Sequence, residues 1–113
     1  TLMKDLKQST KQRFTAFDFD YPDAVLEAQI VAEETGMDEA VAAKLVKIAG
    51  VARNLKGHGL DEGISTRLLV YAATLIKDGV EPRDACRMAL VRPITDDADI
   101  RETLDHAIDA TFA

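Results

Sequence analysis

Tryptophan is absent from this 113-residue chain, and its aromatic residues are four Phe and two Tyr. Ala, Leu, Ile and Val therefore supply the apolar material, which suits packed helices better than a β-sandwich. A single cysteine, Cys86, excludes a disulfide within the chain and points to a reducing compartment. No apolar run approaches the ~20 residues of a membrane span, and no signal-peptide pattern opens the chain. Positive charge is in deficit, with 14 Lys and Arg against 20 Asp and Glu and a net charge of −6. That balance argues against a general nucleic-acid or anionic-membrane binder. A helical DNA-binding domain built on Lys4, Lys7, Lys11 and Arg13 meets the same objection.

Chemistry-bearing motifs are scarce as well. No G-x-x-x-x-G-K-[ST] phosphate loop is present. His58 and His106 have no metal-ligand spacing with each other or with Cys86, so no metal is expected. Cys86 sits in an apolar helical pattern and reads as a buried thiol. His58, between two glycines, reads as a loop residue that helps end a helix. Asp96, Asp97 and Asp99 read as helix capping, with an acidic contact patch as the alternative. The chain carries no complete catalytic site of its own.

What is present is a helical pattern with one interruption. Residues 3–12 read as the end of a helix, and the chain opens inside a charged amphipathic segment, as a cut or processed end would. Phe17, Phe19 and Tyr21 then alternate with Asp18 and Asp20, the period of a half-buried strand over Phe14–Tyr21. One strand cannot form a sheet, so its partners are expected in another chain or in sequence outside this one. From residue 23 onward the spacing predicts about five helices.

The first has Leu26, Ile30 and Val31 inward and Gly36 as its stop. The second starts at Asp38 and carries the stripe Val41, Leu45, Ile48, Ala52 and Leu55. Gly57-His58-Gly59 breaks it. Ser65 caps the third, with Leu68, Tyr71, Ala72 and Leu75 facing the core, and Asp78-Gly79 closes it. Pro82 starts the fourth, with Ala85, Met88 and Ala89 inward, ending at Arg92-Pro93. Thr95-Asp96-Asp97 opens the last, whose inner face is Ile100, Leu104, Ile108 and Phe112. The fold class is mainly α: about five helices preceded by a helix end and one orphan strand.

Two arginines stand out. Arg13 lies where the first helix gives way to the strand, and a cation favouring a helix C-terminus is the plainer reading of it. Arg67 lies in the first turn of the third helix, where a cation opposes the macrodipole. A guanidinium beside free helix N–H groups would bind phosphate well, and a solvated arginine at modest cost is the plainer reading.

Several segments together resemble one family. Gln8-Ser9-Thr10-Lys11-Gln12-Arg13-Phe14, Phe19-Asp20-Tyr21-Pro22, Asn54-Leu55-Lys56-Gly57-His58-Gly59-Leu60 and Ser65-Thr66-Arg67-Leu68-Leu69 are similar to the CbbQ/NorQ group of MoxR-type AAA+ ATPases. Asp84-Ala85-Cys86-Arg87 and Thr95-Asp96-Asp97 extend the likeness over nearly the whole chain. The resemblance implies that residues 1–22 are the tail of an α/β ATPase core and residues 23–113 its helical lid. It assigns the orphan strand to the sheet of that core. Arg13 matches the family's arginine finger, acting in trans on a neighbouring subunit's γ-phosphate, and Arg67 its second-sensor arginine, touching nucleotide phosphate in its own subunit.

By the same likeness the whole protein would use ATP and Mg²⁺, form a homo-oligomeric ring and work with a von Willebrand A-domain partner in the cytoplasm. It would activate or remodel a metalloenzyme system, nitric oxide reductase or Rubisco. The reading leans slightly toward nitric oxide reductase, although Lys11 does not separate the branches. The competing reading from another class is a stand-alone acidic helical protein-interaction module.

Overall fold

In a computed structural model, residues 22–57, 60 and 63–112 are described, and they form five helices with no strand among them. The proposed strand Phe14–Tyr21 and the helix end before it lie outside these residues. The helices are α1 (Ala24–Thr35), α2 (Glu39–Asn54), α3 (Thr66–Lys77), α4 (Pro82–Cys86) and α5 (Ala98–Thr111). A π-helical stretch, Arg87–Val91, continues α4 without a break. No described helix is long and apolar enough to cross a membrane.

Local sequence sets most of the boundaries. Asp23 accepts a hydrogen bond from the Val25 amide at the start of α1, and Ser65 from the Leu68 amide at the start of α3. Asp97 accepts from the Asp99 and Ile100 amides at the start of α5. Asp38 occupies the N-cap of α2 but makes no side-chain capping bond. Pro82 stands in the first turn of α4, where the Glu81 carboxylate takes the Arg83 and Asp84 amides. Gly36 ends α1 in the left-handed conformation (φ 75°), and Lys77, at the end of α3, donates to the neighbouring Thr35 carbonyl at 2.9 Å. One lysine thus closes the C-terminus of α1 from another helix.

The helix α2 runs through the centre and packs on α1, α3 and α5, while α3 also packs on α1 and on α4 with its π extension. Their shared core contains Leu45, Ile48, Ala52, Leu69, Ala72, Leu104 and Ile108. The loop between α2 and α3 buries Leu60 and Ile64 in the same core. Arg87 joins α4 to α5 through Asp105 at 3.2 Å and Asp109 at 3.1 Å, all partly exposed and worth little individually.

Three faces differ from the sequence expectation. In α1 the buried set is Glu27, Ala28, Ile30 and Val31, and Leu26 is exposed. Leu26 and Val31 are five residues apart, about 140° around the axis, so a face centred on Glu27 and Val31 leaves Leu26 at its edge. In α3 the core receives Leu69, Ala72 and Ala73, with Leu68 and Leu75 half-buried and Tyr71 exposed. The helix is turned by about one residue from the predicted stripe.

Beyond Ala85 the wider π turn, closed by Arg92 N–H to the Arg87 carbonyl at 3.1 Å, carries Met88 outward. Ala89, Leu90 and Val91 are buried in its place. Val41, Leu55 and Phe112 are half-buried at the ends of stripes that are otherwise as expected.

Leu104→Ala should cost about 2–5 kcal/mol by deleting fully buried methyl groups, whereas Met88→Ala should change stability by less than about 0.5 kcal/mol. Urea unfolding of both variants tests the assignment. Equal losses would mean that the π turn does not set the inner face.

Candidate functional site

The most polar point of the interior lies where α1, α2 and the start of α3 meet. Glu27 is fully buried on the inner face of α1. Its Oε1 accepts from Arg53 Nη1 at 2.6 Å, and its Oε2 from Arg53 Nη2 at 2.7 Å and from the Thr66 hydroxyl at 2.6 Å. Arg53, near the end of α2, turns its Nε and Nη2 onto the Ile64 carbonyl at 3.0 and 2.9 Å. The guanidinium therefore grips a carboxylate and a backbone carbonyl together, a geometry that a lysine could not supply.

Sequence reasoning passed over this cluster. A signal was present: Glu27 stands three and four residues before Ile30 and Val31, inside an apolar face, and Arg53 directly follows the buried Ala52. The pairing across 26 residues was not readable, because only packing brings the two helices together.

The cluster holds the first turn of α3, where Arg67 stands. Arg67 is exposed and makes no hydrogen bond or ion pair with any other described residue. The N–H groups of Thr66 and Arg67 begin the helix and have no intrahelical acceptor. Each of the other four helices carries an acid in its first turn (Glu27, Glu39, Asp84 and Asp99), but α3 has none. The first turn of α3 thus has no acid of its own and has a cation added to it, and the one carboxylate beside it, that of Glu27, is engaged by Arg53 and the Thr66 hydroxyl. An anion is the ligand that such an arrangement can attract.

The other sequence candidates are not gathered there. Arg13 and His58 lie outside the described residues. Cys86 is fully buried, and burial pushes its thiol up to about 12, so it stays protonated and unreactive near neutral pH. His106 is exposed on α5, 3.9 Å from Glu102. Asp97 serves as the cap of α5, as the capping reading expected. Among the described residues no group of three His, Cys, Asp or Glu could hold a metal ion. A shallow apolar groove between α1 and α2, lined by Ala24, Val25, Ala28, Ala43, Val46 and Gly50, has charge only from Glu39 and Lys47. It offers no converging polar groups for chemistry.

Comparison with known proteins assigns this helical unit a relationship. The family described as CbbQ/NirQ/NorQ C-terminal matches residues 27–111. A protein named CbbQ from Hydrogenophilus thermoluteolus is 62% identical over 98% of this chain and 42% of its own length. The denitrification regulatory protein NirQ of Pseudomonas aeruginosa is 52% identical over 85% of this chain and 37% of its own. Protein NorQ of Paracoccus denitrificans is 45% identical over 98% and 41% respectively. The chain therefore spans about two-fifths of the length of these curated relatives.

Removing one partner of the buried cluster should be expensive. Glu27→Ala removes a fully buried carboxylate that takes two bonds from Arg53 and one from Thr66, and should destabilise the chain by about 3–5 kcal/mol. A loss below about 1 kcal/mol in chemical denaturation would show that water replaces the carboxylate freely and that the cluster is not closed.

Proposed function

Because this chain belongs to the CbbQ/NirQ/NorQ C-terminal family, we propose that it is the helical lid of a MoxR-type AAA+ ATPase that activates or remodels a metalloenzyme. The observation that carries the reading is the family match over residues 27–111, which takes in all five helices but for the first turn of α1. In this reading residues 1–22 are the tail of the ATPase core and residues 23–113 the lid. The nucleotide is ATP with Mg²⁺, whose chemistry is phosphoryl transfer to water, and the phosphate loop and metal ligand belong to the core.

Arg67 is the second-sensor arginine in this reading. Its exposed guanidinium, with the free N–H groups of the first turn of α3, would neutralise phosphate charge in its own subunit. Its position on a lid helix couples the phosphate state to the orientation of the whole lid. Arg13 is the arginine finger, reaching the γ-phosphate held by a neighbouring subunit, which requires a homo-oligomeric ring. A von Willebrand A-domain protein is the partner, and the client is nitric oxide reductase or Rubisco. The higher identity to the CbbQ protein than to NorQ or NirQ runs against the lean toward nitric oxide reductase.

The two arginines should fail differently in the full-length protein. Arg67→Ala should weaken nucleotide binding while leaving the lid's melting temperature within a degree or two, because the side chain has no partner among the described residues. A fall in the lid's melting temperature of several degrees, with unchanged nucleotide affinity, would make Arg67 structural. Arg13→Ala should keep ATP binding and lose on the order of 10³-fold or more in turnover. Mixing Arg13→Ala subunits with subunits lacking the phosphate-loop lysine should restore part of that turnover. Near-normal ATPase activity in the Arg13→Ala protein would end the finger assignment.

A further inference from the structure

The start of α3 is tied down on both sides of its N-cap. Arg53 holds the carbonyl of Ile64, one residue before Ser65, and Glu27 holds the hydroxyl of Thr66, one residue after it. Arg67 is the next residue along. We infer that Glu27, Arg53 and Thr66 form a positioning clamp that sets where the Arg67 guanidinium stands against nucleotide phosphate, without touching the nucleotide themselves. This rests on the proposed reading of Arg67 as a phosphate contact.

Consecutive residues of an α-helix lie about 100° apart around its axis. Tying the Thr66 side chain inward to a buried carboxylate therefore fixes the rotation of the first turn and directs Arg67 outward, as the half-buried Thr66 and exposed Arg67 show. The fully buried side chain of Ile64 sets the depth of the loop, but an apolar contact has little directional preference and leaves rotation loosely defined. A bidentate guanidinium–carboxylate pair is directional.

A buried ion pair is also a poor means of gaining stability, since well-packed apolar residues of similar volume often do as well. What it adds here is geometry. A misplacement of about 1 Å at a reacting centre can cost on the order of 10²-fold in rate, and charge-assisted contacts to phosphate are likewise directional, so the orientation of this turn has consequences at the phosphate.

The test is a double-mutant cycle in the full-length protein, reading the affinity for a non-hydrolysable Mg-ATP analogue by calorimetry beside the thermal melt. Thr66→Val keeps the side-chain shape and removes the bond to Glu27. It should weaken analogue binding on the order of tenfold, while Thr66→Ser, which keeps the hydroxyl, binds as the parent does. In the Arg67→Ala background, Thr66→Val should weaken binding no further, because the clamp acts only through that guanidinium. Arg53→Lys keeps a charge opposite Glu27 but loses the two-nitrogen grip on Ile64, and should behave as Thr66→Val does; it serves if the valine variant does not fold.

Unchanged affinity in Thr66→Val, or an undiminished further loss with Arg67 already absent, overturns the clamp. If Arg67→Ala weakens binding and Thr66→Val does not, the phosphate reading of Arg67 stands and only the clamp falls. If Arg67→Ala binds the analogue normally, that reading fails and takes the clamp with it.

Discussion

A carboxylate with no access to solvent must find its donors inside the protein, and the three that Glu27 finds come from two other segments of the chain. Arg53 is four turns into α2, and Thr66 opens α3 after a loop. The cluster therefore closes only when α1, α2 and the end of that loop are all in place. Apolar contacts among these helices tolerate small slides, because burial rewards area and not direction. The guanidinium fork does not tolerate them, since each of its nitrogens faces a particular oxygen. Burial of apolar surface is the larger source of stability, and the ion pair adds a directional link between the helices that apolar contacts lack.

The same cluster borders the only helix start in the described chain that lacks an acid and carries a base. An exposed arginine there would be a minor electrostatic cost in a purely structural helix. Under the proposed lid reading the same arrangement would become useful, because bound phosphate would remove that cost. The charge pattern, the free N–H groups and the family membership support the same reading of Arg67. The remaining helices complete the packing around these elements: α5 packs on α2, and α4 with its π extension packs on α3.

Much of the helical plan was legible in the chain because capping and termination are local events. Asp23, Ser65 and Asp97 bond to amides two or three residues away, and Gly36 and Gly79 end helices with backbone angles that L side chains rarely adopt. No distant contact is needed to recognise such signals. The errors came where a neighbour decides which face turns inward. Leu26 and Tyr71 have the hydrophobicity of core residues, but Glu27 and Leu69 occupy the positions that packing selects. A 3.6-residue period places Met88 inward, and the π turn changes the period at that point.

The sequence by itself determined the helix count and limits after residue 22, the inert buried thiol at Cys86 and the likeness to the CbbQ/NorQ group. It also singled out Arg67, because a cation in a first turn is visible in one dimension. Only the tertiary structure decided that Glu27 is an interior ligand of Arg53 and that both hold the residues flanking the α3 cap. The physical reason is separation: Glu27 and Arg53 are 26 positions apart in the chain, and Glu27 and Thr66 39. Hydrogen bonds over such distances are specified by the packing of helices, which periodicity and capping rules do not encode.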